Sequence, residues 1–128
     1  MDNCEAYAGI RAFQELAVRV GYRQDEYYMR VAENIRVAVL SKMYNRDAGN
    51  FYWAVDDRGK HAADWGILYP GALAQVFPVW FGLLAADEEM AKMLWHEFNV
   101  RHGKSAEKFP VEQRIIYELA REKMLKLR

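Results

Sequence analysis

One cysteine, Cys4, is all the chain has, so no internal disulfide framework forms and no cysteine knuckle is available for a metal. Net charge is equally missing: 18 Lys+Arg stand against 18 Asp+Glu, which leaves no overall field to draw nucleic acid or an anionic membrane. No apolar run approaches the roughly 18 residues that span a bilayer. The opening MDNCEAYAG lacks the basic and then apolar layout of a signal peptide. There is no Gly-rich phosphate loop and no basic–aromatic stripe for nucleic acid. His61, His96 and His102 have no spacing that suggests a metal site, and Cys4 has no partner in a nucleophile motif. These absences predict a soluble, cytoplasmic chain, if Met1 is the true start, with no cofactor, no metal, no nucleic-acid partner and no membrane partner.

What is present is core material. Hydrophobic residues make up 52% and aromatics 14% of 128 residues. That length suits one domain able to bury roughly two thirds of its unfolded surface. Helical periodicity dominates. A first helix over about residues 3–20 opens with Asp2 or Asn3 as cap, places Glu5 at capping-box spacing, and repeats Ile10, Phe13, Ala17 and Val20 before Gly21. A second, about 26–44, aligns Tyr28, Val31, Ala32, Ile35, Val39 and Met43. A third, about 70–84, begins at Pro70, where the missing N–H costs nothing, and carries Leu73, Val76, Phe77, Trp80 and Leu84. Pro78 is expected to bend it or end its first half. A fourth, about 87–101, offers Met90, Met93, Leu94 and Phe98, and a fifth, about 110–126, offers Val111, Ile115, Leu119 and Met124.

Between the second and third helices, Phe51, Trp53 and Val55 alternate with Tyr52 and Ala54, the period of a strand. Asp56-Asp57-Arg58-Gly59 reads as a turn, giving one small β-hairpin over about residues 50–64. An isolated two-stranded hairpin is marginal in water, so it must lie on the helices. The fold class is all-α, built of antiparallel helical hairpins with one β-hairpin insertion.

Four segments, in order, carry a resemblance: DNCEAYAGIRAFQELAVRVG, the helix ending AVLSKMYNRDAGNFYWAV, then ADWGILYPGALAQVFPVWFGLL, then MLWHEFNVRHG. Together they cover most of residues 2–103, and the Tyr-Pro-x-Ala-x-Ala-Gln-x-Phe-Pro run from Tyr69 to Pro78 is the most specific. The chain resembles the C-terminal part of a six-hairpin glycosidase-like, or α/α-toroid, protein. The resemblance implies an incomplete ring of inner and outer helices, a carbohydrate ligand in a cleft where the loops meet, and chemistry on glycosidic bonds through two carboxylates. Relatives often carry an acid where this chain has Gly71. A complete ring needs six helical hairpins, so about five helices leave apolar faces open, to be covered by a missing N-terminal toroid half or by self-association as a homo-oligomer.

Glycoside hydrolysis needs one carboxylic acid on the leaving oxygen and a second carboxylate that activates water or attacks carbon. The candidates are Glu5, at an inner-helix start, and Asp64, before Trp65. Each also has a local reading: Glu5 as a capping-box member, Asp64 as a turn residue. Trp65, Tyr69 and Tyr52 are candidates for stacking on sugar rings, with core packing as the alternative. Trp53, Trp80 and Phe81 read as core, Asp56 and Asp57 as turn formers. His96 and His102 are expected near a helix C-terminus. The functional expectation is a partial, carbohydrate-binding or glycoside-hydrolase-related domain, inactive as an isolated chain. The alternative is a non-catalytic helical interaction or assembly module.

Overall fold

The computed structural model describes residues 2–126. Helices α1 (Asp2–Arg19), α2 (Glu26–Ala38), α3 (Leu73–Trp80), α4 (Glu89–His102) and α5 (Val111–Leu125) make up most of it. Two short antiparallel ladders lie between α2 and α3: β1 (Tyr44–Asn45) with β2 (Asn50–Phe51), and β3 (Ala54–Asp56) with β4 (Gly59–His61).

The α1–α2 hairpin follows from its turn chemistry. Gly21 takes a left-handed φ of 91°, and the Gly21 and Tyr22 N–H groups donate to Val18 and Ala17 carbonyls at 3.0 and 2.9 Å. That paired pattern satisfies the last carbonyls of α1. Asp25 then caps α2, its carboxylate accepting from the Tyr27 N–H at 2.8 Å. Gln14, buried inside α1, accepts from the Asp25 N–H at 2.8 Å and so ties the cap to the neighbouring helix. The expected cap of α1 at Asp2 or Asn3 is not formed, because both residues already lie within its first turn.

α2 runs into one wide turn, Val39–Met43, and then into the ladders. A single hairpin over 50–64 was the sequence expectation; the chain instead changes partners at Tyr52. The Tyr52 N–H donates to the Met43 carbonyl at 2.8 Å, whereas the Trp53 N–H donates to His61 at 3.1 Å. The cause lies outside the strands. Phe51 is buried and its backbone is engaged by the side chain of Gln75 on α3, which pulls β2 away from the β3–β4 line.

α3 is the centre of the molecule. Every residue from Leu73 to Val79 is buried, the all-round burial of a helix enclosed by neighbours. A turn over Leu68–Ala72, interrupted by an extended Tyr69 in cis linkage to Pro70, leads into it. Pro78 neither breaks nor halves α3, which continues to Trp80 and stops before Gly82 at φ 74°. α3 packs on α4 and α5, and the gap is filled by aromatic rings. Tyr117 stacks on Trp95 and Phe98 at centroid distances of 5.5 and 5.8 Å.

Two expected core faces are corrected. On α5 the inward residues are Tyr117 and Ala120, with Ile116 and Met124 packed beside them, while Val111, Ile115 and Leu119 face outward. On α1 the buried positions are Cys4 and Gln14, while Phe13, and Val20 in the turn after the helix, are exposed. Periodicity marks an apolar stripe but does not say whether the chain itself supplies a neighbour for it.

One polar clasp joins the α1–α2 hairpin to the rest. Arg36 on α2 donates from Nε to the Leu83 carbonyl at 3.0 Å, and its guanidinium reaches Glu88 Oε1 at 3.5 Å. Glu88 Oε1 also accepts from the Ala85 N–H at 2.8 Å, so the α3–α4 connection closes around this arginine.

Candidate functional site

The loop that connects β4 to α3 carries three of the five candidate residues. Asp64 is exposed, and its Oδ1 accepts from the Gly66 N–H at 2.7 Å. Its own carbonyl accepts from the Ile67 N–H at 3.1 Å. This is the turn-forming role of aspartate. The second carboxylate oxygen has no hydrogen bond among the described residues. Trp65 is half-buried against the core, and its carbonyl lies 2.6 Å from His102 Nε2. A carbonyl only accepts, so Nε2 is the protonated nitrogen of that ring. His102 is the last residue of α4, and the bond pins the Trp65 loop to that helix end. Tyr69 is exposed.

Gly71 sets how tightly this loop folds. A Cβ at position 71 would overlap the Asp64 carbonyl oxygen and crowd the Asp64 backbone. Glycine is therefore required by close backbone approach, and Asp64 is held directly over the first turn before α3.

The other two candidates stand on other elements. Glu5 is exposed in the first turn of α1. Its neighbours Asn3 and Cys4 border a narrow cleft shared with Tyr52 and Trp53. Tyr52 is half-buried, and the Lys60 ammonium sits 5.0 Å from its ring centroid, a cation–π arrangement. Asp64, Trp65 and Tyr69 thus share one loop, Tyr52 joins the strands, and Glu5 belongs to α1. None of Glu5, Asp64, Trp65 and Tyr69 lines the groove of about 540 Å³ that runs beside α2. Among the described residues no cluster of His, Cys, Asp and Glu could hold a metal ion, and no helix is long and apolar enough to cross a membrane.

The turn residues behave as expected and add one ionic feature. The Arg58 N–H donates to Asp56 Oδ1 at 2.8 Å, and His61 Nε2 lies 2.9 Å from Asp56 Oδ2 along a bent N–H···O line. The His61 side chain first, and the Arg58 backbone second, hold the Asp56 carboxyl below its ordinary value. The Trp53 ring packs on the His61 ring at 5.2 Å, half-buried rather than in the core. Trp80 and Phe81 are also half-buried, stacked on each other at 4.2 Å. His96 lies in the middle of α4 and is exposed, not at its end. Burial pushes the Cys4 thiol up to about 11, the state of an inert, protonated thiol.

Gln14, Arg36, Gln75 and the His102–Trp65 bond were not anticipated. A signal existed for Gln75: it is the one amide on an otherwise apolar helix, between Leu73, Ala74, Val76 and Phe77. Buried amides need partners, so its position on α3 implied a neighbouring backbone to bind.

No protein-family model matches the chain, and no significant similarity to a curated protein or to a solved structure was found.

Proposed function

We infer that the chain is an arc of an α/α-toroid that acts as a helical assembly module, its open ends docking on a second copy. The observation that supports this is the pair of uncovered stripes at the first and last helices of the chain. On α1 and the turn that follows it, Phe13, Leu16 and Val20 are 53%, 59% and 63% exposed; on α5, Val111 and Ile115 are 61% and 52% exposed. Single apolar residues on a surface are ordinary, but stripes at helical spacing mark interaction faces. The two stripes differ, one on the α1–α2 hairpin and one on α5, which packs on α3, so docking of one stripe on the other is head to tail.

Light scattering across a concentration series tests the reading. The expected result is an oligomer that Phe13→Asp with Ile115→Asp converts to a monomer of unchanged helicity. A native chain that stays monomeric at every concentration overturns it.

The resemblance to six-hairpin glycosidase-like proteins gives a second reading: a carbohydrate-binding or glycoside-hydrolase-related segment. One arrangement favours it, namely Asp64, Trp65 and the exposed Tyr69 on a single loop braced by His102 and Gly71. Glu5 and Asp64 remain its proposed carboxylates and Trp65, Tyr69 and Tyr52 its proposed sugar contacts. An isolated chain is expected to be inactive, because only one of the two acids belongs to that loop. Hydrolysis of aryl glycosides that is abolished by Asp64→Asn would favour the enzyme reading over the assembly module.

A further inference from the structure

We propose that the groove between α2 and the β3–β4 hairpin binds a medium-chain aliphatic carboxylate. The groove has a volume of about 540 Å³, within the range of small-molecule sites. Its walls are apolar: Val31, Ile35, Val39 and Met43 come from α2 and its wide terminal turn, and Val55 faces them from β3. From Val31 to Lys42 the wall runs roughly 16 Å at the rise of a helix, an elongated slot rather than a round cup.

Its charged groups are of one sign. Lys42 and Lys60 stand at the lining, with the amides of Asn3 and Asn34, and no acid is among the lining residues. Among the described residues neither Lys42 nor Lys60 is in an ion pair; Lys60 lies over the Tyr52 ring instead. A chain with no net charge therefore sets two unpaired cations and two neutral amides around an apolar slot. The complementary ligand has an extended apolar body and one anionic head, which ammonium groups and amides receive through charge-assisted bonds.

The site shares no residue with the stripes on α1 and α5, so it stands or falls independently of self-assembly.

Backbone amide NMR of the full chain titrated with decanoate is the test. Saturable shifts centred on Val31, Ile35, Ala38 and Val55 are expected. Lys42→Ala with Lys60→Ala should weaken decanoate by roughly ten-fold and leave the weaker binding of decanol unchanged. Decanol binding as tightly as decanoate to the native chain would overturn the proposal. So would shifts centred on Phe13 and Leu16 or on Val111 and Ile115, or an acidic amphipathic peptide that displaces decanoate from the groove and binds more tightly.

Discussion

Gln75 completes the backbone pairing of Phe51. Its Oε1 accepts from the Phe51 N–H at 2.6 Å, and its Nε2 donates to the Phe51 carbonyl at 3.0 Å and to the Gly71 carbonyl at 3.0 Å. A side chain thus does what a third strand would do, joining the first ladder to the central helix from inside the core.

Gln75→Leu keeps the volume and removes those bonds. Each orphaned buried group costs about 1–3 kcal/mol, so the variant should lose about 3 kcal/mol or more by urea denaturation. Gln75→Glu should fare no better, since a carboxylate cannot donate to the two carbonyls. A loss below about 1 kcal/mol in both would show that the amide is not what holds Phe51.

Arg36→Ala should destabilise the fold by about 1–2 kcal/mol. Most of that comes from the Leu83 carbonyl, because the part-exposed pair with Glu88 is worth about 0–1 kcal/mol. Lysine has no Nε–H at that position along its stem, so Arg36→Lys should not restore the loss. Equal stability of the lysine variant and the native chain, by thermal denaturation, would assign the clasp to charge alone.

Cys4 should resist maleimide in the native state and react only on unfolding, as burial keeps the thiol protonated up to about 11. The linked stability has a definite sign. A folded value raised above the ordinary 9.0 gives stability that is complete below pH 9 and is lost as pH rises through about 11. Denaturation midpoints at pH 8 and pH 10.5 should therefore separate more for the native chain than for Cys4→Ala.

Asp56 works in the opposite direction. Its carboxyl is held below the ordinary 3.8, chiefly by His61, so its contribution is present above pH 3.8 and is lost as pH falls through the lower folded value. Amide protection of Val55 and Lys60, measured relative to the intrinsic exchange rate at each pH, should fall on that descent, and Asp56→Asn should remove the step. Exchange that changes equally in the variant would place the acid sensitivity elsewhere.

The helices were legible because their signals are local. Gly21 ended α1, and Leu94 and Phe98 lay on the inner face of α4, all from spacing and turn chemistry. The α5 face was misread because Val111, Ile115 and Leu119 form an apolar stripe as regular as the one through Tyr117, Ala120 and Met124, and periodicity cannot say which of two stripes meets a neighbour. The exchange of strand partners at Tyr52 was invisible for a different reason. It depends on Gln75, 24 residues away from Phe51, and no period in a sequence encodes such a bond. The candidate site was half legible: Asp64 was placed in its turn, but the brace from His102 to Trp65 spans 37 positions.

The crowding of Gly71 against the Asp64 peptide makes two ways of furnishing acidity on this loop mutually exclusive. A homologue with aspartate or glutamate at the position of Gly71 must route its backbone farther from the central helix, vacating the space that Asp64 fills here. Covariation between those two positions, an acid at one or a close-fitting turn at the other, would be the evolutionary trace of that steric choice.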